Sequence, residues 1–491
     1  MKFQSIVEAI FHYAETTPDA LCMADTQQSY TYAQMKNTIV TVADQLTALG
    51  VGKGDCVVVE CTQNVAYTVA QMAIGLVGGV FVPFDKKFSD ERLAEMVEET
   101  DAKALAGGNA KRAGVLPFLP LLTIKPVNEA QNCKYQLPAA SDRSELLYST
   151  GTTGKSKGID LTHANNVAIA ENVSGGVGMK PGNVELIPVA MSHSHGLRTL
   201  YANMVMGNAC IIAAGVTFMK PLFRLMDQYK VTSMDLVPSA WRVLRDMGGE
   251  TLKGYAEQID YVQLGSAPLT EDDKTTLREL LPHSRLYNFY GSTESGRTCT
   301  YDFAAHPGKA ACIGKPACNA TVLVVDGERN VLENTSASNT GFLAFKGPMN
   351  MTGYWKNQAL TDSIMQDGVI YTKDVGYIDP EGWVFMLGRE DDVINYGGVK
   401  ISPEEIESAA LHCPGVLDCG CVGKADPISG QAPWLYVQAS EGVELTAAEV
   451  GAYLLLNIDR DKLPKQIVVI DKIPRTFNGK LLRRELRDRQ D

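Results

Sequence analysis

Short strand-like runs alternate with helical segments from the N-terminus to about residue 310, and this alternation constrains the fold more than any other feature. Residues 55–60 and 79–83 are predicted strands, and residues 64–77 between them are a predicted helix. The same order returns in four further strand-like runs, each followed by a helical segment, at residues 184–189, 209–213, 232–237 and 261–264. Strands that alternate with helices favour parallel sheets with helices on their faces, so we predict an α/β fold.

The spacing of the strands changes near residue 315. Strand-like runs separated by turn residues follow one another closely, at residues 320–325, 341–346, 369–372 and 383–387. This spacing is typical of antiparallel strands, so we predict a small β subdomain at about residues 315–390. Together with the alternating segment, it completes a predicted large N-terminal domain of residues 1–390.

The last part of the chain, residues 391–491, is predicted to be a separate small α+β domain. Ser402 followed by Pro403 marks a helix start, and Glu405 stands where a capping box would place it. Strand-like and helical runs then alternate at residues 416–422, 434–438, 446–456, 467–470 and 481–489. The final run mixes acidic residues with four arginines, which predicts a solvated helix rather than a binding patch: Arg483, Arg484, Arg487 and Arg489.

Charge and cysteine content narrow the class of protein. The 491 residues correspond to two to four domains of common size, and the net charge of −12 argues against a protein that coats nucleic acid or an anionic membrane. We find no apolar run that would span a membrane and no signal-peptide core at the N-terminus. The eleven cysteines are odd in number and include no C-x-x-C pair, which favours reduced thiols in a cytoplasmic protein.

A segment rich in glycine, hydroxyl and lysine side chains follows the predicted strand at residues 145–148. In order, it consists of Ser149, Thr150, Gly151, Thr152, Thr153, Gly154, Lys155, Ser156, Lys157 and Gly158. Small residues let the backbone approach an anion, N–H groups and hydroxyls donate to phosphate oxygens, and lysine adds positive charge. The segment therefore predicts a phosphate-binding loop. It does not match a Walker A motif, because Ser149 stands where that motif needs its first glycine.

Further motifs follow this loop in order along almost the whole chain. They are His193-Ser194-His195-Gly196-Leu197, Gly265-Ser266-Ala267-Pro268-Leu269, Tyr290-Gly291-Ser292-Thr293-Glu294, Gly347-Pro348 with Gly353-Tyr354, Tyr371-Thr372-Lys373-Asp374, Gly388-Arg389-Glu390-Asp391-Asp392, and Pro474-Arg475-Thr476 with Gly479-Lys480. Together with the loop, they resemble the signatures of the adenylate-forming, AMP-binding superfamily, which contains acyl-CoA synthetases, adenylation domains of peptide synthetases and luciferases.

The resemblance implies a reaction in two steps. A carboxylate attacks the α-phosphorus of ATP to give an acyl-adenylate and pyrophosphate, and a thiol then displaces AMP. Both steps build negative charge, so they need positioning and positive electrostatics rather than a covalent nucleophile. In keeping with this, we find no convincing Ser-His-Asp motif in the sequence and expect none to be required.

The resemblance also assigns the nucleotide to particular residues. Asp374 would accept hydrogen bonds from both ribose hydroxyls, and Arg389 would hold the same ribose. Lys480 would bridge the attacking carboxylate and the ribose side of ATP. Mg2+ would bind to Glu294 and Thr152, and Thr293 would contact the α-phosphate. The other residues assigned to the phosphates and adenine are Ser149, Thr150, Gly151, Thr153, Gly154, Lys157, Gly265, Ser266, Ala267, Tyr290, Gly291 and Ser292.

By the same resemblance, the C-terminal domain is a mobile lid that rotates between the two steps. Asp391 matches the hinge, and the rotation would bring Gly397 and Gly398 to the thiol channel. The sequence departs from the common pattern at three positions, where Ser156 replaces proline, Lys373 replaces glycine and Asn395 replaces lysine. The side chain of Lys373 could add charge near the nucleotide or point to solvent, and we favour solvent.

The segment around His193 resembles the gate to the acyl pocket. His193 is expected to gate or line this pocket, and a metal site shared with His195 is disfavoured because no third ligand lies nearby. Residues 188–200 contain no acidic residue that could pair with a substrate ammonium, which disfavours an α-amino acid. Small or apolar residues around the expected pocket favour a fatty or aromatic acid, and the sequence does not separate these two: Ala190, Met191, Gly265, Ser266 and Gly291.

CoA is the expected thiol acceptor. The alternative is the phosphopantetheine thiol of a separate acyl carrier protein, since the short segment after Lys480 leaves no room for a fused carrier domain. A nucleotide-binding scaffold without turnover is a third hypothesis, disfavoured because the charged residues of the motifs are all present. We expect no nucleic-acid partner, and a homodimer stays open beside a monomer.

Overall fold

The computed structural model describes residues 2–150, 156–396, 399–475 and 481–490. Thirteen α-helices lie in these residues: α1 Ile6–Thr16, α2 Tyr32–Ala48, α3 Val65–Leu76, α4 Asp90–Thr100, α5 His163–Gly176, α6 Ser194–Met206, α7 Met219–Tyr229, α8 Pro238–Lys253, α9 Glu271–Leu280, α10 Gln358–Ile364, α11 Pro403–Leu411, α12 Ala447–Asn457 and α13 Arg483–Asp488. Single turns of 3₁₀-helix are formed by Ala110–Ala113, Leu121–Thr123 and Arg460–Lys462.

Twenty-six strands lie in the same described residues. They are β1 Leu21–Ala24, β2 Ser29–Thr31, β3 Cys56–Cys61, β4 Val80–Asp85, β5 Ala104–Gly107, β6 Phe118–Pro120, β7 Arg143–Thr150, β8 Ser156–Thr162, β9 Val184–Ile187, β10 Ala209–Ile212, β11 Ser233–Leu236, β12 Tyr261–Leu264, β13 Arg285–Ser292, β14 Gly296–Asp302, β15 Cys312–Pro316, β16 Thr321–Val325, β17 Gly341–Lys346, β18 Gly353–Tyr354, β19 Met365–Gln366, β20 Val369–Ile378, β21 Val384–Arg389, β22 Ile394–Tyr396, β23 Val399–Ile401, β24 Val416–Asp426, β25 Gly430–Ala439 and β26 Gln466–Val469.

The largest sheet joins a parallel half to an antiparallel half. Strands β1, β10, β9, β11, β12 and β13 are neighbours in that order and pair in parallel. Strands β14, β15, β21, β20, β17 and β16 continue the same sheet with antiparallel pairing. The predicted parallel and antiparallel strand pairings are therefore both confirmed. The antiparallel strands extend the large sheet and do not form a separate one.

A second sheet has the order β18, β8, β7, β4, β3, β5 and β6, with its central strands parallel. Helices of both N-terminal sheets contribute to one apolar core. All residues of α3 are buried, from Val65 to Leu76, which is the pattern of a helix enclosed on every side. Asn64 caps this helix by accepting a hydrogen bond from the N–H of Tyr67 at 3.1 Å. The predicted helix at residues 64–77 is thus confirmed.

The C-terminal strands form a third, smaller sheet. Its order is β23, β22, β25 and β24, and β26 pairs in parallel with β25. Helices α11 and α12 pack on this sheet around a separate core that includes Ile406, Leu435 and Leu454. A mixed α/β chain with a large N-terminal part and a small C-terminal part is therefore present, as predicted.

The start of α11 differs from the prediction in one respect. Ser402 is the N-cap and Pro403 the first helical residue, but the capping box is absent. The hydroxyl of Ser402 donates to Glu404 at 2.9 Å, and Glu405 pairs with Lys462 at 2.7 Å. The hydroxyl of Ser402 is thus bonded to one side chain and the carboxylate of Glu405 to another, and neither group caps the backbone of α11.

The predicted solvation of the final helix is wrong for Arg483. Its side chain is 12% exposed and forms ion pairs with Glu404 at 2.7 Å and with Glu407. The adjacent Arg484 is 85% exposed, as predicted for the whole helix. Arg483 therefore fastens α13 to α11 within the C-terminal domain.

Candidate active site

Several predicted site residues lie at the carboxyl ends of central strands of the large sheet. His193 is the N-cap of α6 after β9, Ser266 follows β12, and Tyr290 lies near the end of β13. Thr293 and Glu294 occupy the turn that follows β13. In open α/β sheets, ligands bind outside the carboxyl ends of parallel strands, and these residues lie at such ends.

The residues that the sequence assigned to the ribose are close together. Asp374 on β20 and Arg389 on β21 are directly opposite each other in the antiparallel pair, and Arg389 Nε lies 3.7 Å from Asp374 Oδ1. The hydroxyl of Tyr290 donates a hydrogen bond to Asp374 Oδ2. Burial raises the pKa of Tyr290 well above its usual range, and the Asp374 carboxylate adds to this. A carboxylate and a guanidinium thus stand side by side, an arrangement that suits a diol.

The guanidinium of Arg389 also has capacity to bind a ligand. Its Nε atom is buried and has no hydrogen-bond partner within the described ranges. A buried donor without a partner is costly unless a ligand or water satisfies it. The position of Arg389 therefore agrees with its predicted contact to the nucleotide.

Three distant motifs meet at Tyr354. Its hydroxyl donates to Glu294 Oε1 at 2.9 Å, and Lys157 Nζ lies 5.4 Å from the centre of its ring. The backbone of Met351 also donates to the carbonyl of Glu294 at 2.8 Å. Burial raises the pKa of Tyr354, with Glu294 as the next cause. The sequence placed Tyr354 in a family motif but gave it no role, and the structure shows that it orients the predicted metal ligand.

The predicted metal site fits Mg2+ held largely by phosphates. Over the described residues, no group of three or more His, Cys, Asp and Glu side chains could hold an ion. One carboxylate, Glu294, lies at the strand edge beside Thr293. Mg2+ is commonly bound by one or two carboxylates together with substrate phosphates and waters, so a single carboxylate at this place suits it.

The loop between β12 and α9 depends on glycine at its first position. A Cβ atom on Gly265 would lie 2.2 Å from the ring of Phe289, so no other residue fits there. Ser266 follows in the left-handed region with φ at 71°, which non-glycine residues rarely adopt. The loop therefore holds an exposed serine in a strained backbone at the predicted adenine site.

A serine, a histidine and an aspartate from three separate segments are joined by hydrogen bonds, an arrangement that no local motif of the sequence indicates. Ser266 Oγ lies 2.9 Å from His195 Nδ1, and His195 Nε2 lies 2.7 Å from Asp235 Oδ1. Asp235 is fully buried on β11 and also accepts from Thr199 Oγ1 at 2.7 Å. An acidic residue thus lies beside the gate although residues 188–200 contain none. Its two oxygens are already bonded to protein groups.

Asp391, the predicted hinge residue, has contacts on both sides of the predicted domain boundary. The side chain of Lys373 is 56% exposed, as expected, and at the surface its Nζ lies 3.6 Å from Asp391 Oδ1 and 3.3 Å from Glu390 Oε2. On the other side, Arg487 donates to the carbonyl of Asp391 at 2.6 Å. The lysine that replaces the common glycine therefore pairs with the predicted hinge residue.

Some predicted residues lie outside the described ranges. These are Gly151, Thr152, Thr153 and Gly154 of the phosphate loop, Gly397 and Gly398 of the thiol channel, and Lys480. The flanks of the phosphate loop are described, since β7 and β8 pair in antiparallel register with Ser149 opposite Lys157 and Thr150 opposite Ser156. Among the described residues, no helix is both long and apolar enough to cross a membrane.

Comparison with known proteins gives a consistent picture. The family model of the AMP-binding enzyme matches residues 10–355, and that of the AMP-binding enzyme C-terminal domain matches residues 405–480. A 2-succinylbenzoate–CoA ligase of Bacillus cereus is 27% identical over 476 residues, which is 96% of each chain. A ligase of the same description from Bacillus anthracis is 27% identical over 475 residues, again 96% of each chain.

Solved structures show the same fold. ATP-bound MatB from Rhodopseudomonas palustris superposes with a TM-score of 0.85 at 23% identity, over 99% of this chain and 98% of MatB. The o-succinylbenzoate CoA synthetase MenE from Bacillus subtilis, in complex with its acyl-adenylate intermediate, gives a TM-score of 0.82 at 24% identity over 98% of both chains. The similarity in fold thus extends over nearly the whole length of this chain and of each solved structure.

Proposed function

Since this chain belongs to the AMP-binding enzyme family and is an AMP-forming acid–thiol ligase, we propose that it activates an aryl carboxylic acid and transfers it to CoA. The observation that carries this proposal is the grouping of Asp374, Arg389 and Tyr290 at the strand edge that also bears Glu294. The choice of an aryl acid is supported by the curated relatives, which act on 2-succinylbenzoate and align over 96% of the chain.

In the first step, the acid's carboxylate attacks the α-phosphorus of ATP and pyrophosphate leaves. Asp374 accepts hydrogen bonds from the ribose hydroxyls, and Arg389 donates to the same sugar. Glu294, held by Tyr354, and Thr152 would bind Mg2+, which would neutralise charge on the phosphates. Lys157 and Lys480 lower the repulsion between the two anions that must meet.

In the second step, the thiol of CoA attacks the acyl carbonyl and AMP leaves. We propose that residues 391–491 rotate as a lid about Asp391 between the steps and that Gly397 and Gly398 then line the thiol channel. This division of the chain at 390 and 391 is supported by the separate core of the C-terminal sheet. His193, exposed at the N-cap of α6, is proposed to gate the acyl pocket.

The cellular site is proposed to be the cytoplasm. All eleven cysteines are free, and nine of them are buried. Buried thiols of this kind behave as small core residues and persist where glutathione and thioredoxin keep the cell interior reducing.

The experiment that tests the activity is carboxylate-dependent ATP–pyrophosphate exchange over a panel of acids. We expect exchange with aryl acids, including 2-succinylbenzoate, and thioester formation when CoA is added. Exchange with α-amino acids alone would overturn the proposed substrate class. Thioester formed only on a carrier protein, and never on CoA, would overturn the proposed acceptor.

A further inference from the structure

Ser266, His195 and Asp235 form a line of hydrogen bonds that the two-step reaction outlined above leaves without a role. The distances along it are 2.9 Å from Ser266 Oγ to His195 Nδ1 and 2.7 Å from His195 Nε2 to Asp235 Oδ1. Ser266 is exposed at the strand edge, the side chain of His195 is 8% exposed, and that of Asp235 is fully buried. The line therefore leads from the substrate side of the site into the protein.

The partners of His195 and Asp235 favour one assignment of the protons. The carboxylate of Asp235 already accepts a hydrogen bond from Thr199 Oγ1, and an ionised carboxylate accepts at both oxygens. We therefore assign the ring proton of His195 to Nε2, which faces Asp235, and this assignment leaves Nδ1 to accept from the hydroxyl of Ser266. The ring of Phe289 contacts the imidazole edge to face, 4.8 Å between centres, and limits its rotation. His195 is thus held in the tautomer that can take a proton from Ser266.

The two half-reactions differ in their need for a proton acceptor. In the first, the attacking carboxylate is already ionised at neutral pH and pyrophosphate leaves as an anion. In the second, a thiol must lose its proton as it attacks the acyl carbonyl. A thiol of ordinary pKa, about 8.5, is only a few per cent ionised near pH 7, so a base near the carbonyl would accelerate this step.

The other acidic groups at this edge already have partners. Glu294 is bonded to Tyr354, and Asp374 is bonded to Tyr290 and lies beside Arg389. Their proposed ligands are Mg2+ and ribose, which require them to stay ionised and in place. His195 differs from these two carboxylates because its Nδ1 lies 2.9 Å from the hydroxyl of the exposed Ser266.

We propose that Ser266, His195 and Asp235 form a thiol relay, a proton relay that serves the second half-reaction. As the thiol sulfur bonds to the acyl carbon, its proton passes to Ser266 Oγ while the Ser266 proton passes to His195 Nδ1. The bond from the acyl carbon to the AMP oxygen breaks, its electron pair leaves with AMP, and His195 later returns the proton to solvent. In this scheme Ser266 is the catalytic residue, and His195 and Asp235 act through it. The inference rests on the proposed acid–CoA ligase function.

Charged groups from neighbouring elements surround the thiol relay. Glu185 lies on β9, the strand that pairs with the β11 strand of Asp235. Burial raises the pKa of Glu185 to about 7, and the charge of Asp235 is the next cause. The guanidinium of Arg297 on β14 lies 3.5 Å from the centre of the Phe289 ring, which in turn contacts His195. Burial lowers the pKa of Arg297 to about 10. His193 precedes His195 on the same helix start. Because these groups also respond to pH, the test compares variant with wild type at each pH.

The test measures the two half-reactions of His195→Gln separately, as ATP–pyrophosphate exchange and as thioester formation from prepared acyl-AMP and CoA. We expect thioester formation to fall about 100-fold and exchange to fall less than about tenfold, since positioned acid–base groups contribute about 10² to 10⁴. The deficit should shrink between pH 6.5 and pH 9, where thiolate forms without help. His283→Gln, at an exposed site beside Glu257, is the matched control and should change neither rate.

Equal losses in both half-reactions, or a thioester deficit that does not change with pH, would overturn the relay. An acyl group found on Ser266 by mass spectrometry would also overturn it, since that result makes the serine a nucleophile. If His195→Gln does not fold, Asp235→Asn and Ser266→Ala are tested for the same split and the same pH trend. If the wild-type protein forms no thioester with CoA, the proposed function itself is refuted. If the wild type forms thioester normally but the variant loses both half-reactions equally, only the relay is refuted.

Discussion

The hydroxyl of Tyr354 donates a hydrogen bond to Glu294 Oε1 at 2.9 Å. These residues are 60 positions apart, and the bond joins the edge strand β18 of the second sheet to the turn after β13 of the first. Lys157, at the end of the predicted phosphate loop, has its Nζ over the ring of Tyr354, 5.4 Å from the ring centre. Tyr354 therefore contacts both the predicted Mg2+ ligand and a lysine that is predicted to bind phosphate.

Replacing Tyr354 with Phe should weaken the use of Mg2+ without moving Lys157. The ring stays, while a hydrogen bond to a charged acceptor, worth about 1.5–3 kcal/mol, is lost. We expect the Mg2+ concentration for half-maximal ATP–pyrophosphate exchange to rise about tenfold, equivalent to about 1.4 kcal/mol. Tyr135→Phe, which removes a surface hydroxyl bonded to Asp44 at 2.7 Å, is the control. An unchanged Mg2+ requirement in Tyr354→Phe would contradict the role of this bond.

Replacing Lys480 with Ala should separate the half-reactions in the opposite sense to the loss of His195. Its ammonium is proposed to offset the repulsion between the acid and ATP, a need that ends once acyl-AMP has formed. We expect exchange to disappear and thioester formation from supplied acyl-AMP to stay close to wild type. Lys472→Ala, at an exposed position in the same region of the chain, should leave both rates unchanged. Equal loss of the two half-reactions in Lys480→Ala would refute the assignment.

The sequence predicted the parts of the site that depend on local chemistry. Glycine at 265 is required because a Cβ would meet Phe289, and such a requirement leaves a trace in the sequence. The alternation of strands and helices likewise predicted the parallel half of the large sheet. By contrast, the thiol relay joins residues 40 and 71 positions apart. They meet because β11 lies between β9 and β12, and that strand order has no local signature.

The burial of Arg483 could not be predicted for a related reason. A short helix with alternating charges is normally solvated, and nothing within residues 481–489 distinguishes Arg483 from Arg484. The difference arises from Glu404 and Glu407 on α11, which approach from one side only. Long-range pairing thus decides which charges are buried.

Replacing Asp391 with Pro should block the second half-reaction while preserving the first. Proline fixes φ near −65°, so a hinge that must change its backbone angles is locked. We expect exchange to remain and thioester formation in the coupled CoA assay to be lost. Asp391→Asn is the matched control, since it removes the exposed ion pair with Lys373 without restricting the backbone. Such pairs contribute about 0–1 kcal/mol, so the control should stay within a few-fold of wild type. Full coupled activity in Asp391→Pro would refute the hinge.

Replacing Arg483 with Met should destabilise the protein far more than the same change at Arg484. Removing one partner of a buried ion pair costs about 3–5 kcal/mol, because Glu407 would be left buried without its cation. Arg484 is 85% exposed and pairs with Asp488 at 3.6 Å, so its replacement should stay within about 0.5 kcal/mol. Urea unfolding of the two full-length variants, with far-UV circular dichroism as the signal, measures the difference.

The deficit of Arg483→Met should also grow with pH. Burial raises the pKa of Glu407 from 4.5 to about 7, and Arg483 opposes this rise. A carboxyl whose pKa is higher in the folded state favours folding most below its unfolded value and loses that contribution as pH rises through the folded value. Without Arg483 the folded pKa moves higher still, so ionising Glu407 costs the variant more at pH 8 than at pH 6. A deficit that stays constant between these pH values, or equal deficits for the Arg483 and Arg484 variants, would show that the pair with Glu407 does not stabilise the C-terminal domain.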